Sequence, residues 1–196
     1  LSIVTIDMPI ATVPITERRV ADNEISKTFG SRHCSTHSPN HDRPGPLGAA
    51  LSREFESQGY TIATKSDPVG TLNRLIEVYP HPALLSLLGR EERVRYKVSK
   101  TKKYWRNISA SEGRKKILEE LHAIRLELHK KLGPFELPLP PLGTETTPRM
   151  LKRYEDALDA LVCVWVGTTY LGKNASAFGN TTAAIWCPSD PLPPTH

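Results

Sequence analysis

The stretch from Leu75 to Gly89 constrains this chain more than any other. Leu75, Ile76, Val78 and Tyr79 suit a buried β-strand, Pro80 and Pro82 stop it, and Ala83 to Leu88 reads as a helix with Gly89 as its C-terminal stop. One charged residue, Glu77, sits inside that apolar strand. A buried carboxylate costs several kcal/mol to desolvate unless a cation or hydrogen-bond donors meet it. Glu77 is therefore either ion-paired, on an edge strand facing water, or a metal ligand.

Around this unit the chain divides into further elements. Ser2 to Asp7 is a short β-branched run ended by Met8-Pro9, and it predicts a central strand with Asp7 at its C-terminal end, where ligands bind in open α/β sheets. Thr16 is a cap candidate for a helix over Glu17 to Phe29. The chain from Ser31 to Pro46 is loop, Leu47 to Gln58 a second helix, and Tyr60 to Thr64 a short strand. Ser111 is placed to cap an amphipathic helix reaching Leu132, with Ile117, Leu121, Ile124 and Leu128 on one face. A proline-rich connection from Gly133 to Pro148 leads to the last long helix, capped by Thr147, opened by Pro148 and ending near Leu171. Ala183 to Cys187 reads as a final strand. The organisation is one domain over residues 1–188, followed by an irregular tail over 189–196.

No apolar run approaches the roughly 18 residues that a membrane span needs. Three scattered cysteines, Cys34, Cys163 and Cys187, give no disulfide framework and fit the reducing cytoplasm. A net charge of +5 permits a phosphate-bearing partner without requiring one. The chain opens on Leu1 rather than Met, already inside a strand pattern, which suggests a fragment.

The last helix carries Asp156 and Asp159. At about 100° per residue, Leu151, Tyr154, Leu158, Leu161, Val162 and Trp165 form a broad apolar face, and Ala160, Cys163 and Gly167 a stripe of small residues flanked by the two aspartates. Small side chains let a helix sit close to a sheet, which would aim these acids at the sheet's edge; the alternative is a solvated helix flank. Asp7, Glu77, Asp156 and Asp159 together are a candidate carboxylate cluster. Such a cluster in a low-dielectric site needs a cation, and hard oxygen ligands select Mg²⁺ or Mn²⁺. It suits two-metal phosphoryl chemistry.

Several motifs carry a family resemblance: Ile6-Asp7-Met8-Pro9, Ala21-Asp22 with Phe29-Gly30, Ile76-Glu77-Val78-Tyr79-Pro80, Arg95-Tyr96-Lys97, Asp156-Ala157-Leu158-Asp159-Ala160 and Ile185-Trp186-Cys187-Pro188. In this order, over nearly the whole chain, they resemble the domain-of-unknown-function family 429 (DUF 429), regarded as predicted nucleases of the RNase H-like fold. The resemblance implies a mixed sheet flanked by helices, with Asp7, Glu77, Asp156 and Asp159 as catalytic and metal-binding acids. Family members begin with a strand hairpin whose first strand bears another metal-binding aspartate. This chain lacks that hairpin, so the resemblance implies an N-terminal truncation.

Arg95, Lys97, Lys100, Lys102 and Lys103, interleaved with Tyr96, Tyr104 and Trp105, are the candidate nucleic-acid contacts; the alternative is a solvated loop with its aromatics in the core. Lys97 leads them, because it lies in the family-like Arg95-Tyr96-Lys97. His33, Cys34, His37 and His41 share one loop, but their spacing matches no familiar zinc pattern, and nothing places a base beside Cys34. The expected function is a metal-dependent nuclease. Its rival is a non-catalytic nucleic-acid-binding relative, and a sugar-kinase-like phosphoryl transferase finds no glycine-rich phosphate loop to support it.

Overall fold

The computed structural model describes residues 2–140 and 146–194. Leu1, the part of the proline-rich connection over 141–145 and the end of the tail over 195–196 lie outside the described residues.

Along the chain, β1 (Val4–Ile6) precedes α1 (Val20–Phe29), α2 (Leu47–Ser57), β2 (Thr61–Ile62), β3 (Arg74–Val78) and α3 (Pro80–Leu88). A 3-10 turn (Val98–Lys100) and the short α4 (Thr101–Tyr104) follow. The long α5 (Ala110–Leu132) and α6 (Pro148–Leu171) then lead to β4 (Ala175–Gly179) and β5 (Ala184–Pro188). Pro80 and Pro82 end the strand by starting the helix, since proline at a first helical position loses no needed hydrogen bond. Gly89 closes α3 in the left-handed conformation at φ 59°, returning its N–H to the Leu85 carbonyl.

The sheet is organised on β3. Leu75 faces Val4 and Ile62, and Glu77 faces Ile6 and Ile185. A strand has two edges, so β2 and β5 share the edge of β3 that β1 does not occupy. These pairings are all parallel, and β4 closes antiparallel on β5, making a mixed α/β sheet flanked by helices. The expectation of a central β1 is corrected: among the described residues it pairs only with β3 and stays half-buried. A β-branched run reads the same in a central strand and in an outer strand that a helix covers, and α6 supplies that cover. A Cβ on Gly167 would come within 2.9 Å of Thr5 Cγ2 and 3.1 Å of Ile3 Cδ1, so the small-residue stripe does seat α6 on β1.

The two faces of the sheet bury different helices. Ile76, Val78, Ala184 and Trp186 pack with α3, α5 and α6, while Ile185 and Cys187 pack with Ala21, Ile25 and Phe29 of α1. Strand side chains alternate, which puts Glu77 on the α1 face. Other boundaries shift for local reasons. The helix expected from Glu17 starts at Val20, because the Asp22 carboxylate accepts the Arg19 N–H at 3.1 Å in place of a Thr16 cap. Ser109 rather than Ser111 caps α5, through a reciprocal pair with Glu112. Thr147 caps α6 as expected. The unexpected strand β4, Ala-Ser-Ala-Phe-Gly, lacks β-branched residues and forms because β5 lies beside it. Among the described residues no helix is long and apolar enough to cross a membrane.

Candidate functional site

Glu77 is buried and meets a cation of the chain itself. Arg19 forks onto it, Nη2 to Oε1 at 2.6 Å and Nη1 to Oε2 at 2.7 Å, and the Ile10 N–H donates to Oε2 at 3.0 Å. Burial raises this carboxyl and the guanidinium opposes the rise; a forked contact with a third donor suits the ionised form. Arg19 also bonds Asp22 and donates to the Ile10 carbonyl at 2.8 Å. Both backbone groups of Ile10, three residues beyond Asp7, are thus clamped. The structure gives Glu77 its ion-paired alternative and turns it to the face opposite α6.

The acids of α6 gather differently. Glu155, Asp156 and Asp159 each offer one oxygen, all within 4.8 Å of one another. Two lysines thread the group. Lys97 Nζ lies 2.5 Å from Asp159 and 3.4 Å from Glu155, and Lys152 Nζ lies 2.8 Å from Glu155 and 2.6 Å from Asp156. The Tyr96 hydroxyl donates to Asp159 at 2.7 Å and the Val98 N–H to Glu155 at 2.7 Å. Burial holds the Asp159 carboxyl above its ordinary value although Lys97 pulls it down. Burial and the facing Asp159 charge keep the Tyr96 phenol protonated, and so a donor. Lys97, expected at a substrate phosphate, is here engaged with Asp159 and Glu155.

Asp7 stands at the junction of two clefts. One of about 400 Å³ is shared with Asp156, Asp159, Ala160 and Cys163, and one of about 190 Å³ with Asp22, His37, Glu77 and Tyr79. The sheet therefore brings Asp7 to the α6 acids across the first, while Glu77 lines only the second. Desolvation, with the Asp159 charge second, pushes the Asp7 carboxyl up to about 6 from 3.8. The residue is nevertheless exposed, so water screens part of that effect. A folded-state value above the unfolded one means the folded chain holds the proton more tightly, so stability falls as pH rises from about 4 to about 6. Asp7→Asn is accordingly expected to stabilise the metal-free chain at pH 7.5 by about 1 kcal/mol after discounting for exposure, and to change nothing near pH 3.5. Melting curves in chelator check it; a lower melting temperature at pH 7.5 would mean that ionised Asp7 is stabilising.

The remaining candidates occupy the surface. Arg95, Lys100, Lys102 and Lys103 face solvent around the 3-10 turn and α4, while Tyr96 is buried and Tyr104 and Trp105 are half-buried. Among the described residues the loop histidines join no metal-ligating group; the one present is on α6. Cys34 is buried, its thiol pushed up to about 11 by desolvation. Sequence reasoning missed Glu155 and Lys152. Glu155 lies four residues before Asp159, a helical spacing that puts the two on one face, so the periodicity held the signal.

A family model described as "Protein of unknown function (DUF429)" matches residues 1–183. No curated protein matches the chain, and no solved structure matches it.

Proposed function

The chain belongs to the DUF429 family, whose description assigns no activity, and from its acidic cleft we propose that it is a divalent-metal-dependent nuclease on an RNase H-like scaffold. The observation that carries this reading is the convergence of Asp7, from the end of a sheet strand, with Asp156 and Asp159, from a helix seated on that strand, on one cleft of about 400 Å³. Glu155 adjoins the two aspartates on α6, and Lys97 and Lys152 pair with these three acids but leave Asp7 without an ion pair among the described residues. The excess negative charge and the 4.8 Å spread of the α6 oxygens suit a hard cation such as Mg²⁺ or Mn²⁺. Such an ion would neutralise phosphate charge and acidify water.

The residues of the chain have separable roles. Asp7 would offer the ion a carboxylate from the strand end, opposite those of Asp156 and Asp159 on the helix. Tyr96 and Lys97 each hold one oxygen of Asp159, and Lys152 bridges Glu155 and Asp156. Glu77 acts at one remove, as a positioning residue: with Arg19 it fixes Ile10 and so the path of the chain leaving Asp7. Arg95, Lys100, Lys102 and Lys103 would meet the nucleic-acid backbone. Three free cysteines support a cytoplasmic setting.

The non-catalytic nucleic-acid-binding reading draws support from Lys97 and Lys152, which already neutralise part of the cluster. Labelled single-stranded, duplex, hybrid and branched substrates with Mn²⁺ separate the two. Cleavage is expected, abolished by chelator and lowered at least about tenfold in Asp7→Asn, which removes a charged ligand of the ion. A folded chain that cleaves none of them leaves the binder.

A further inference from the structure

Trp105 divides two clefts. The larger, about 550 Å³, is lined by Glu91, Glu92, Glu119 and Glu120 as well as Arg90, Arg93, Arg95 and Lys116, so its charges balance. Lys116 stands over the indole at 5.9 Å and lines this cleft alone. The second, about 470 Å³, lies between α4 and the first turns of α5 and α6. Its apolar surface comes from Trp105, Ile108 and Leu151, its charged groups are Lys102, Arg106 and Arg114, and no acidic side chain lines it among the described residues. Val98, which lines it, donates its N–H to Glu155, the chain neighbour of Asp156 in the acidic cleft.

We propose that this second groove is a subsite for a nucleotide of single-stranded nucleic acid, its base stacked on Trp105 and its flanking phosphates met by Lys102, Arg106 and Arg114. The inference rests on the nucleic-acid reading of the neighbouring cleft and names where a strand leaving that cleft runs. A flat indole beside cations that no acid among the described residues accompanies is the pairing that recognises unpaired bases without regard to sequence. The volume is ample for one nucleotide, and the all-cationic lining favours a polyanion over a neutral ligand. The groove was not evident in the sequence, because Arg114 and Leu151 come to line it with Trp105 only through the packing of α5 on α4 and of α6 on the 3-10 turn.

The test uses the intact chain in chelator, with a fluorescent oligothymidylate titrated at several salt concentrations. Binding is expected, and Arg106→Ala with Arg114→Ala should weaken it about tenfold and lower the salt slope by about 0.7 per cation removed. Lys130→Ala with Lys131→Ala, which removes equal charge about 25 Å along α5, should leave the slope as it was. An abasic oligomer of equal length should bind the unmodified chain about tenfold more weakly than oligothymidylate, a difference lost in Trp105→Leu. If that variant does not fold, the arginine pair and the abasic comparison decide. No binding by the unmodified chain, equal losses in the two charge pairs, no difference for the abasic oligomer, or equal competition by polyglutamate would each overturn the proposal. Groove-dependent binding without cleavage under Mn²⁺ removes only the nuclease reading. Cleavage with unchanged KM in the arginine pair removes only the groove.

Discussion

Arg19→Met is expected to destabilise the chain by about 3–5 kcal/mol, the cost of leaving a buried carboxylate without its partner. The Glu77 side chain is 3% exposed and that of Arg19 12%, so water cannot take over the lost contacts. The same change frees the Ile10 carbonyl and takes the guanidinium from both oxygens of Asp22, of which Oδ2 keeps the Arg19 backbone N–H. In a chain of this length the melting temperature should fall by roughly 10 °C. The loss should be pH-dependent. Burial already raises the Glu77 carboxyl, and without the guanidinium to oppose it the rise is larger, so the folded variant takes up a proton as pH falls and recovers stability towards pH 5. Arg19→Met with Glu77→Leu should regain part of the loss, since no charge is left at position 77 while the buried Asp22 carboxylate still lacks its guanidinium. Thermal melts at pH 5 and pH 8 check these outcomes. A single variant that melts like the unmodified chain would remove the ion pair as the anchor of the strand centre, and a double variant no better than the single would assign the loss to packing and to Asp22 rather than to Glu77.

Lys97→Met separates two meanings of the α6 acids. Its ammonium touches Asp159 and Glu155 and is about one-fifth exposed. Its removal should cost about 2–3 kcal/mol without metal, below the fully buried limit because some water reaches it and Lys152 still holds Glu155. Burial then raises Asp159 unopposed by Lys97, so this loss too should shrink as pH falls. Addition of Mn²⁺ gives the decisive contrast. If the acids gather a divalent ion, the variant presents one more uncompensated charge, and its Mn²⁺-induced rise in melting temperature should exceed that of the unmodified chain. No rise in either protein would make Lys97 the structural counter-ion of a site that takes no metal, and a smaller rise in the variant would mean that Lys97 supports the ion's site rather than competing with the ion.

The sequence expectation places Lys97 at a substrate phosphate. That expectation came from its place in a basic run, where most charges do face water, as Arg95, Lys100, Lys102 and Lys103 do here. Linear sequence places Lys97 among those neighbours; only the crossing of this segment over α6 places it against Asp159, 62 residues away. Glu77 presents the converse case. Its misfit in an apolar strand announced a partner, but the partner, Arg19, is 58 residues distant and belongs to a helix whose start was misplaced by three residues.

What the sequence determined by itself is local and periodic. The strand–helix unit around Glu77, the proline-opened α6 with its threonine cap and the small-residue stripe beneath Asp156 and Asp159 follow from propensity, capping chemistry and the 3.6-residue repeat, which act over a few residues. The tertiary structure alone decided which acids share a cleft. Strand alternation sends Glu77 to the α1 face, and seating of α6 on β1 brings Asp7 to the aspartates of that helix. Contacts between residues some 150 positions apart depend on how faces pack, and a chain read in order carries the composition of each face but not the face it will meet.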